Sequence, residues 1–185
     1  MKTRRIPLPF TEKDLKKVRA GDRLLLTGTL YTARDDIHRR MHRFNKSGKK
    51  FPVNLKQQVI YYTGPAPQKP GQIINSVGPT TAKRMDKYTS DVLKLGVIGM
   101  IGKGPRGTKT RKLIKGKAIY MASLGGVSAK LAKKVVKHKL VAFKDGGMEA
   151  MRKLEVVDFP VFVINDLEGN DAYEIQRREY SKTRE

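Results

Sequence analysis

Val77–Arg84, V-G-P-T-T-A-K-R, constrains the fold more than any other stretch of the chain. Gly78-Pro79 marks a turn. Thr80 and Thr81 are residue types that cap helix N-termini, and Ala82-Lys83-Arg84-Met85-Asp86 has helix-forming composition. Upstream lies G-P-A-P-Q-K-P-G, Gly64–Gly71, which can be neither helix nor central strand and must be a structured loop. Downstream, Tyr88, Val92 and Leu95 give an apolar helical stripe that stops at Gly96. A loop therefore turns directly into a helix N-terminus. Such an end presents unpaired backbone N–H groups and a partial positive charge. It suits a carboxylate or phosphate, and the same turn supplies two hydroxyls and a guanidinium. The plain alternative is an ordinary capped helix with Arg84 in solvent. Against it stand two more cations, Arg34 and Lys103, placed by the same design.

The rest of the chain alternates. Residues 1–9 read as an extended basic arm, and Thr11–Val18 as a short helix opened by a threonine cap with acids in its first turn. Arg23–Tyr31 reads as a strand whose Gly28 marks a bulge or a close backbone approach. Thr32 can cap the next helix, with Asp35 and Asp36 in its first turn and Ile37 and Met41 as an i,i+4 apolar pair, so Arg34 lies where strand hands over to helix. Strands follow at Gln58–Thr63, Val97–Ile101, Lys117–Ala122, Val135–Phe143 and Val156–Ile164. Helices are expected at Thr108–Ile114, Gly125–Lys134 and Met148–Leu154, with a last one in the polar tail after Asn165. Strands spaced by helices predict a layered α/β domain. We divide the chain into an N-terminal arm and short helix (1–20), the main domain (21–165) and a polar tail (166–185).

Composition removes several chemistries. With no cysteine the chain has no thiol nucleophile and no thiolate ligand for an iron–sulfur cluster. His38 and His42 are four apart and could share a helix face, but H-R-R-M-H lacks the glutamate of the zinc protease motif, and two ligands fall short of a zinc set. There is no apolar run of the ~20 residues that a membrane span needs and no signal-peptide pattern, so a cytoplasmic protein is expected. The 40 Lys+Arg against 17 Asp+Glu, a net charge of +23, point first to nucleic acid. Yet the aromatics are not interleaved with the basic residues as a base-stacking surface requires. A basic surface equally attracts small dicarboxylates or an acidic partner chain.

Gly102–Gly107, G-K-G-P-R-G, matches the dinucleotide pattern G-x-G-x-x-G after a strand and before a helix. Pro105 constrains the turn that would wrap a pyrophosphate. The ribose-binding acid expected about 20 residues on is missing, since no Asp or Glu occurs between Asp91 and Asp145. The better reading is an anion loop with Lys103 as a point charge at a strand's end. Arg34, the Thr80/Arg84 pair and Lys103 then share one logic. Ends of this kind converge on a ligand crevice in α/β layers, and two arginines with a lysine can bind both carboxylates of a small diacid. No carboxylate dyad or cysteine–histidine pair offers an independent catalytic centre. The sequence holds half of a site.

At these residues the chain resembles a family: the beta subunit, or C-terminal domain, of class I iron–sulfur fumarate hydratases and L-tartrate dehydratases. The matching segments are G-T-L-Y-T-A-R-D at Gly28–Asp35, Y-Y-T-G-P-A-P at Tyr61–Pro67, N-S-V-G-P-T-T-A-K-R-M-D at Asn75–Asp86, M-I-G-K-G at Met100–Gly104, L-G-G-V-S-A at Leu124–Ala129 and E-V-V-D-F-P-V-F-V-I-N-D at Glu155–Asp166. Lys83 departs from the pattern, which has glycine there in many members. The resemblance implies a single α/β domain of the swivelling β/β/α type. It implies substrate-binding roles for Arg34, Arg84 and Lys103, and for Thr80 the removal of the substrate's C3 proton. An alpha subunit would carry a [4Fe–4S] cluster on three cysteines, with an open iron acting as Lewis acid and an aspartate as the acid. The assembly would be a hetero-oligomer, alpha2beta2. The expected function is the beta subunit of a hydro-lyase interconverting fumarate and L-malate, with L(+)-tartrate dehydration as the alternative. A basic nucleic-acid-binding module is the competing reading from another class.

Overall fold

A computed structural model describes residues 2–67 and 70–182. Its central strand, β2 (Arg23–Thr32), buries Leu24, Leu26 and Leu30 on one face at period two. At Gly28 the backbone has φ +131°, and a Cβ there would stand 2.7 Å from the Leu8 carbonyl oxygen. Glycine is needed so that the N-terminal segment can lie this close. That segment is more than an arm: β1 (Thr3–Pro7) pairs in parallel with the first half of β2. It leads to α1 (Glu12–Lys17), whose cap Thr11 forms the expected reciprocal bonds with Asp14.

After β2 come α2 (Asp35–Lys46), β3 (Val59–Tyr61), a 3₁₀ segment Ala82–Tyr88, α3 (Thr89–Lys94), β4 (Gly99–Gly102), α4 (Thr108–Ile114) and β5 (Ile119–Ala122). The strands β2, β3, β4 and β5 pair side by side in parallel. The chain continues through α5 (Ser128–Ala132), β6 (Val135–Ala142), a 3₁₀ segment Lys144–Glu149, β7 (Met151–Asn165) and α6 (Ala172–Lys182). The 15-residue β7 runs antiparallel to β2 along one edge and to β5 and β6 along the other. The α/β sheet thereby closes on itself as β2–β3–β4–β5–β7, with β1 and β6 as its flanks.

Side chains alternate across the closed sheet. Tyr61, Ile101, Ile119 and Met121 join Leu24, Phe159 and Val161 in one core cluster. Their neighbours Ile60, Tyr62, Met100 and Tyr120 join Ile37, Met41 and Val92 in the second, beneath the helices. Strands buried on both faces read as continuous apolar runs, which is why β4 and β5 carry no polar alternation.

Several expectations are corrected. Thr32 does not cap α2. It ends β2, and its buried hydroxyl accepts the Arg152 N–H at 2.9 Å. Arg34 is the cap residue, with no side-chain cap bond of its own. Glu149, from far along the chain, accepts the Asp36 N–H at 2.8 Å instead. Thr80 does not open a regular helix: residues 82–88 wind as 3₁₀, and the cap residue Thr81, at φ −57° and ψ 117°, makes no side-chain cap bond. The helix expected over Gly125–Lys134 shrinks to α5. Of Met148–Leu154 only Met148 and Glu149 are helical, as the end of a 3₁₀ segment, because from Met151 onward β7 pairs with β6 and then with β2. Local helix propensity is a weak term beside such pairing. Among the described residues no helix is long and apolar enough to cross a membrane.

Candidate active site

Because β2, β3, β4 and β5 run parallel, their C-terminal ends open at one mouth of the closed sheet. Arg34 follows β2, the loop that leads to Thr80 follows β3, Lys103 follows β4 and Ser123 follows β5. Strand ends of this kind are where α/β sheets gather ligands.

Arg34 is clasped from three sides. Its Nη2 lies 3.5 Å from Glu149 Oε1 and 4.0 Å from Asp35 Oδ2. A Cβ on Gly64 would stand 2.9 Å from Arg34 Cδ and 3.1 Å from the Met148 carbonyl oxygen. Gly64 is thus a glycine so that the Arg34 stem can pass between two loops. The Arg34 Nε is buried with no hydrogen-bond partner. Arg84 reaches the same carboxylate, donating from Nη2 to Asp35 Oδ2 at 2.8 Å with its side chain 54% exposed. One aspartate therefore sits between two guanidiniums.

Thr80 and Lys103 meet through their backbones. The Lys103 N–H donates to the Thr80 carbonyl at 3.0 Å and the Ala82 N–H to the Lys103 carbonyl at 2.9 Å. The Thr80 N–H donates to the Tyr62 carbonyl at 2.6 Å. The approach depends on Gly102, where a Cβ would lie 2.8 Å from the Tyr62 ring and 3.0 Å from Ala82 Cβ. The bridge stands immediately before the 3₁₀ segment, where the sequence predicts the start of a regular helix. The Lys103 stem runs towards Gly125, and the side chain borders a cavity of about 360 Å³ shared with Ser123 and Tyr173. The mouth so joins Arg34 to Arg84 through Asp35 and Thr80 to Lys103 through the bridge, while Lys103 lies on the wall nearer β5.

Behind the mouth is a group the sequence reading passed over as one more basic residue of the glycine loop. The Arg106 side chain is 0% exposed. It donates from Nε to Asp86 Oδ1 at 2.6 Å, from Nη1 to the Tyr62 hydroxyl at 3.1 Å and from Nη2 to Thr89 Oγ1 at 2.6 Å. Its guanidinium carbon stands 5.2 Å from the Tyr120 ring centre and 5.7 Å from that of Tyr62. Burial pushes the Tyr62 phenol up, so it remains a neutral acceptor. A signal was present: an arginine between glycines that leads into an apolar-faced helix needs a partner if it is buried, and Asp86 is the acid of the adjacent motif.

His38, on α2, packs edge-on against Tyr62 at 5.1 Å between ring centres, and its Nδ1 lies 2.7 Å from the Arg34 carbonyl oxygen. His42 instead pairs with Asp91 at 2.9 Å. Among the described residues no group of three or more His, Cys, Asp or Glu is placed to hold a metal ion. Burial lowers the His38 pKa from 6.5 to about 4, against the smaller opposing effect of the Arg34 carbonyl. The folded protein thus favours neutral His38. Its stabilising contribution is complete above pH 6.5 and is lost as pH falls towards 4, where the unfolded chain binds the proton first. We expect unfolding free energy to drop by about 2–3 kcal/mol from this group between pH 7.5 and 4.5. Urea unfolding at both pH values, with His38→Gln showing a correspondingly smaller drop, checks it.

Comparison with known proteins bears on this mouth. A family model described as the fumarase C-terminus matches residues 1–176. The anaerobic class I fumarate hydratase of Escherichia coli K12 is 40% identical over 172 residues, which is 91% of this chain and 31% of that protein. Fumarate hydratase 1, mitochondrial, of Leishmania major shows the same identity and the same coverage. The chain therefore spans about a third of the length of these fumarate hydratases. A Methanocaldococcus jannaschii protein, named as a candidate L(+)-tartrate dehydratase subunit beta, is 36% identical over 184 residues, 95% of this chain and 94% of that protein. Taken with the match over nearly all of its length, the chain belongs to the fumarase C-terminus family.

Proposed function

We propose that this chain is the beta subunit of a heteromeric hydro-lyase that interconverts fumarate and L-malate in the cytoplasm, and that its domain is of the swivelling β/β/α type. The observation that carries the reading is that Arg34 and Arg84 share one carboxylate, Asp35, at the same strand ends where Thr80 and Lys103 are bridged through their backbones. The near full-length likeness to a protein named as a subunit beta supports a separate partner chain.

In this reading Arg34 and Arg84 bind substrate carboxylate in bidentate fashion, competing with Asp35 for the same donors. Lys103 adds a point charge from the opposite wall. Thr80 takes the proton from C3 of malate as the hydroxyl leaves C2, and returns it in the hydration direction. An alcohol is a poor base near neutrality, so its oxygen must be stabilised as the alkoxide by the field of Lys103 and Arg84. The proton for the leaving hydroxyl would come from an acid on the partner. A [4Fe–4S] cluster finds no ligand set in this chain, which has no cysteine. We assign it to the alpha subunit of an alpha2beta2 assembly.

Tartrate is the second substrate reading, favoured by the name of the full-length relative. The test is direct. The purified chain alone should turn over neither fumarate nor tartrate, and co-expression with a cysteine-bearing alpha chain followed by anaerobic cluster reconstitution should give hydration of fumarate. Turnover by the isolated chain without iron defeats the shared-site reading, and a higher kcat/KM for L(+)-tartrate than for malate moves the assignment to tartrate dehydratase. The competing nucleic-acid reading expects strong duplex binding that falls steeply with salt.

A further inference from the structure

We propose that Arg106 is the positioning residue that sets the site's geometry from below, without touching substrate. This rests on the hydro-lyase reading for its activity arm only. The guanidinium is fully buried, so nothing bound at the mouth reaches it. It is nevertheless linked, directly or through intervening residues, to each segment that carries a site residue. Asp86 lies two residues beyond Arg84 and accepts from Arg106 Nε at 2.6 Å, while its other oxygen accepts the Gly107 N–H at 2.8 Å. Tyr62 accepts from Nη1 with its hydroxyl and receives the Thr80 N–H with its carbonyl. Thr89, which opens α3 and so ends the 3₁₀ segment, accepts from Nη2. Arg106 itself stands three residues beyond Lys103. The fourth segment follows one step further out, because His38 packs on Tyr62 and bonds the Arg34 carbonyl.

Two physical points separate this role from plain stabilisation. A buried ion pair is weak support for a fold, since well-packed apolar groups can replace it at no net cost; one established use is to fix a particular arrangement. Only a guanidinium meets the present arrangement. Three nitrogens in one plane donate in three fixed directions, to a carboxylate, a phenol and an alcohol, while the flat cation lies between the Tyr62 and Tyr120 rings. A lysine brings the same charge with no such fork. Charge and geometry are therefore separable by substitution.

The test compares Arg106→Lys with the neutral pair Arg106→Met/Asp86→Asn, which leaves no unpaired buried charge and provides a folded variant should lysine fail. Amide hydrogen exchange at Lys103 and Ala82, the donors of the bridge, is read in the full-length chain. The kcat and KM are read in the reconstituted complex. Both variants are expected to speed exchange at the two amides at least about tenfold and to lower kcat about 10- to 100-fold, the scale on which a misplacement of an ångström acts. Lysine should lose as much as the neutral pair although it keeps the charge. Exchange at wild-type rates in either folded variant overturns the proposal. So does faster exchange with kcat within about threefold of wild type, because Arg106 would then be structural only. A wild-type complex that neither hydrates fumarate nor dehydrates L(+)-tartrate fails the hydro-lyase reading instead, and exchange at Lys103 and Ala82 still decides whether Arg106 holds the bridge.

Discussion

Thr80→Ala is expected to lower kcat at least about 10²-fold in the reconstituted complex, the range for a positioned acid or base, with the melting temperature nearly unchanged. The second half of that expectation comes from the cap. If Thr80 or Thr81 capped a helix with its hydroxyl, alanine would cost about 0.5–2 kcal/mol of stability. The cap residue is Thr81, and it makes no side-chain cap bond. What holds Thr80 is its backbone, through the Tyr62 carbonyl and the Lys103 N–H, and alanine keeps both bonds. A loss of activity would therefore report the oxygen and not the fold. Thr80→Ser retains the oxygen and should retain part of the rate. Thr81→Ala removes the neighbouring hydroxyl and should be silent in both respects. Exchange of the C3 hydrogen of malate with solvent is the companion measurement: it should disappear with kcat in Thr80→Ala, and undiminished exchange would sink the base assignment.

Arg34→Ala and Arg84→Ala should each lower kcat/KM by about tenfold to over a hundredfold, which corresponds to the roughly 1.5–3 kcal/mol of a charge-assisted hydrogen bond. The structural cost of the two differs. The Arg84 pair with Asp35 is largely solvated and contributes little to stability. Removing Arg34 leaves Glu149 and Asp35 without their shared cation, but Glu149 still accepts the Asp36 N–H and Asp35 still has Arg84. Circular dichroism of both variants should match the wild type. Wild-type kcat/KM in both would return these arginines to the status of surface groups.

Much of this was legible in the sequence because it is local. The Thr11–Asp14 cap, the alternation of β2, the bounds of α4 and the Gly28 close approach all arise from neighbours in the chain or from one residue's φ. The motif resemblance pointed to Arg34, Thr80, Arg84 and Lys103, and the mouth of the sheet brings their segments side by side. What remained hidden depends on distant pairing. Glu149 caps α2 across 113 residues, a link no helix-start pattern contains. Met148–Leu154 has helical composition, yet β6 and β2 draw its latter part into a strand. Arg106 does not stand out within the basic glycine loop, because nothing in its own segment marks the phenol, the alcohol and the second ring that surround it.

The closure of the sheet by β7 has a consequence for how the protein is made. The register sets Arg23 opposite Phe162 and Leu30 opposite Leu154, so the first long strand finds its partner only near the end of the chain. Pairings of such sequence separation are slow to form, since loop closure must be met before any contact offsets it. During synthesis β2, β3, β4 and β5 can pair with one another, but the β2–β7 seam stays open until β7 has been made. Until then the apolar face of Leu24, Leu26 and Leu30 has no cover from Phe159 and Val161, so closure of the barrel is the step that takes it out of water.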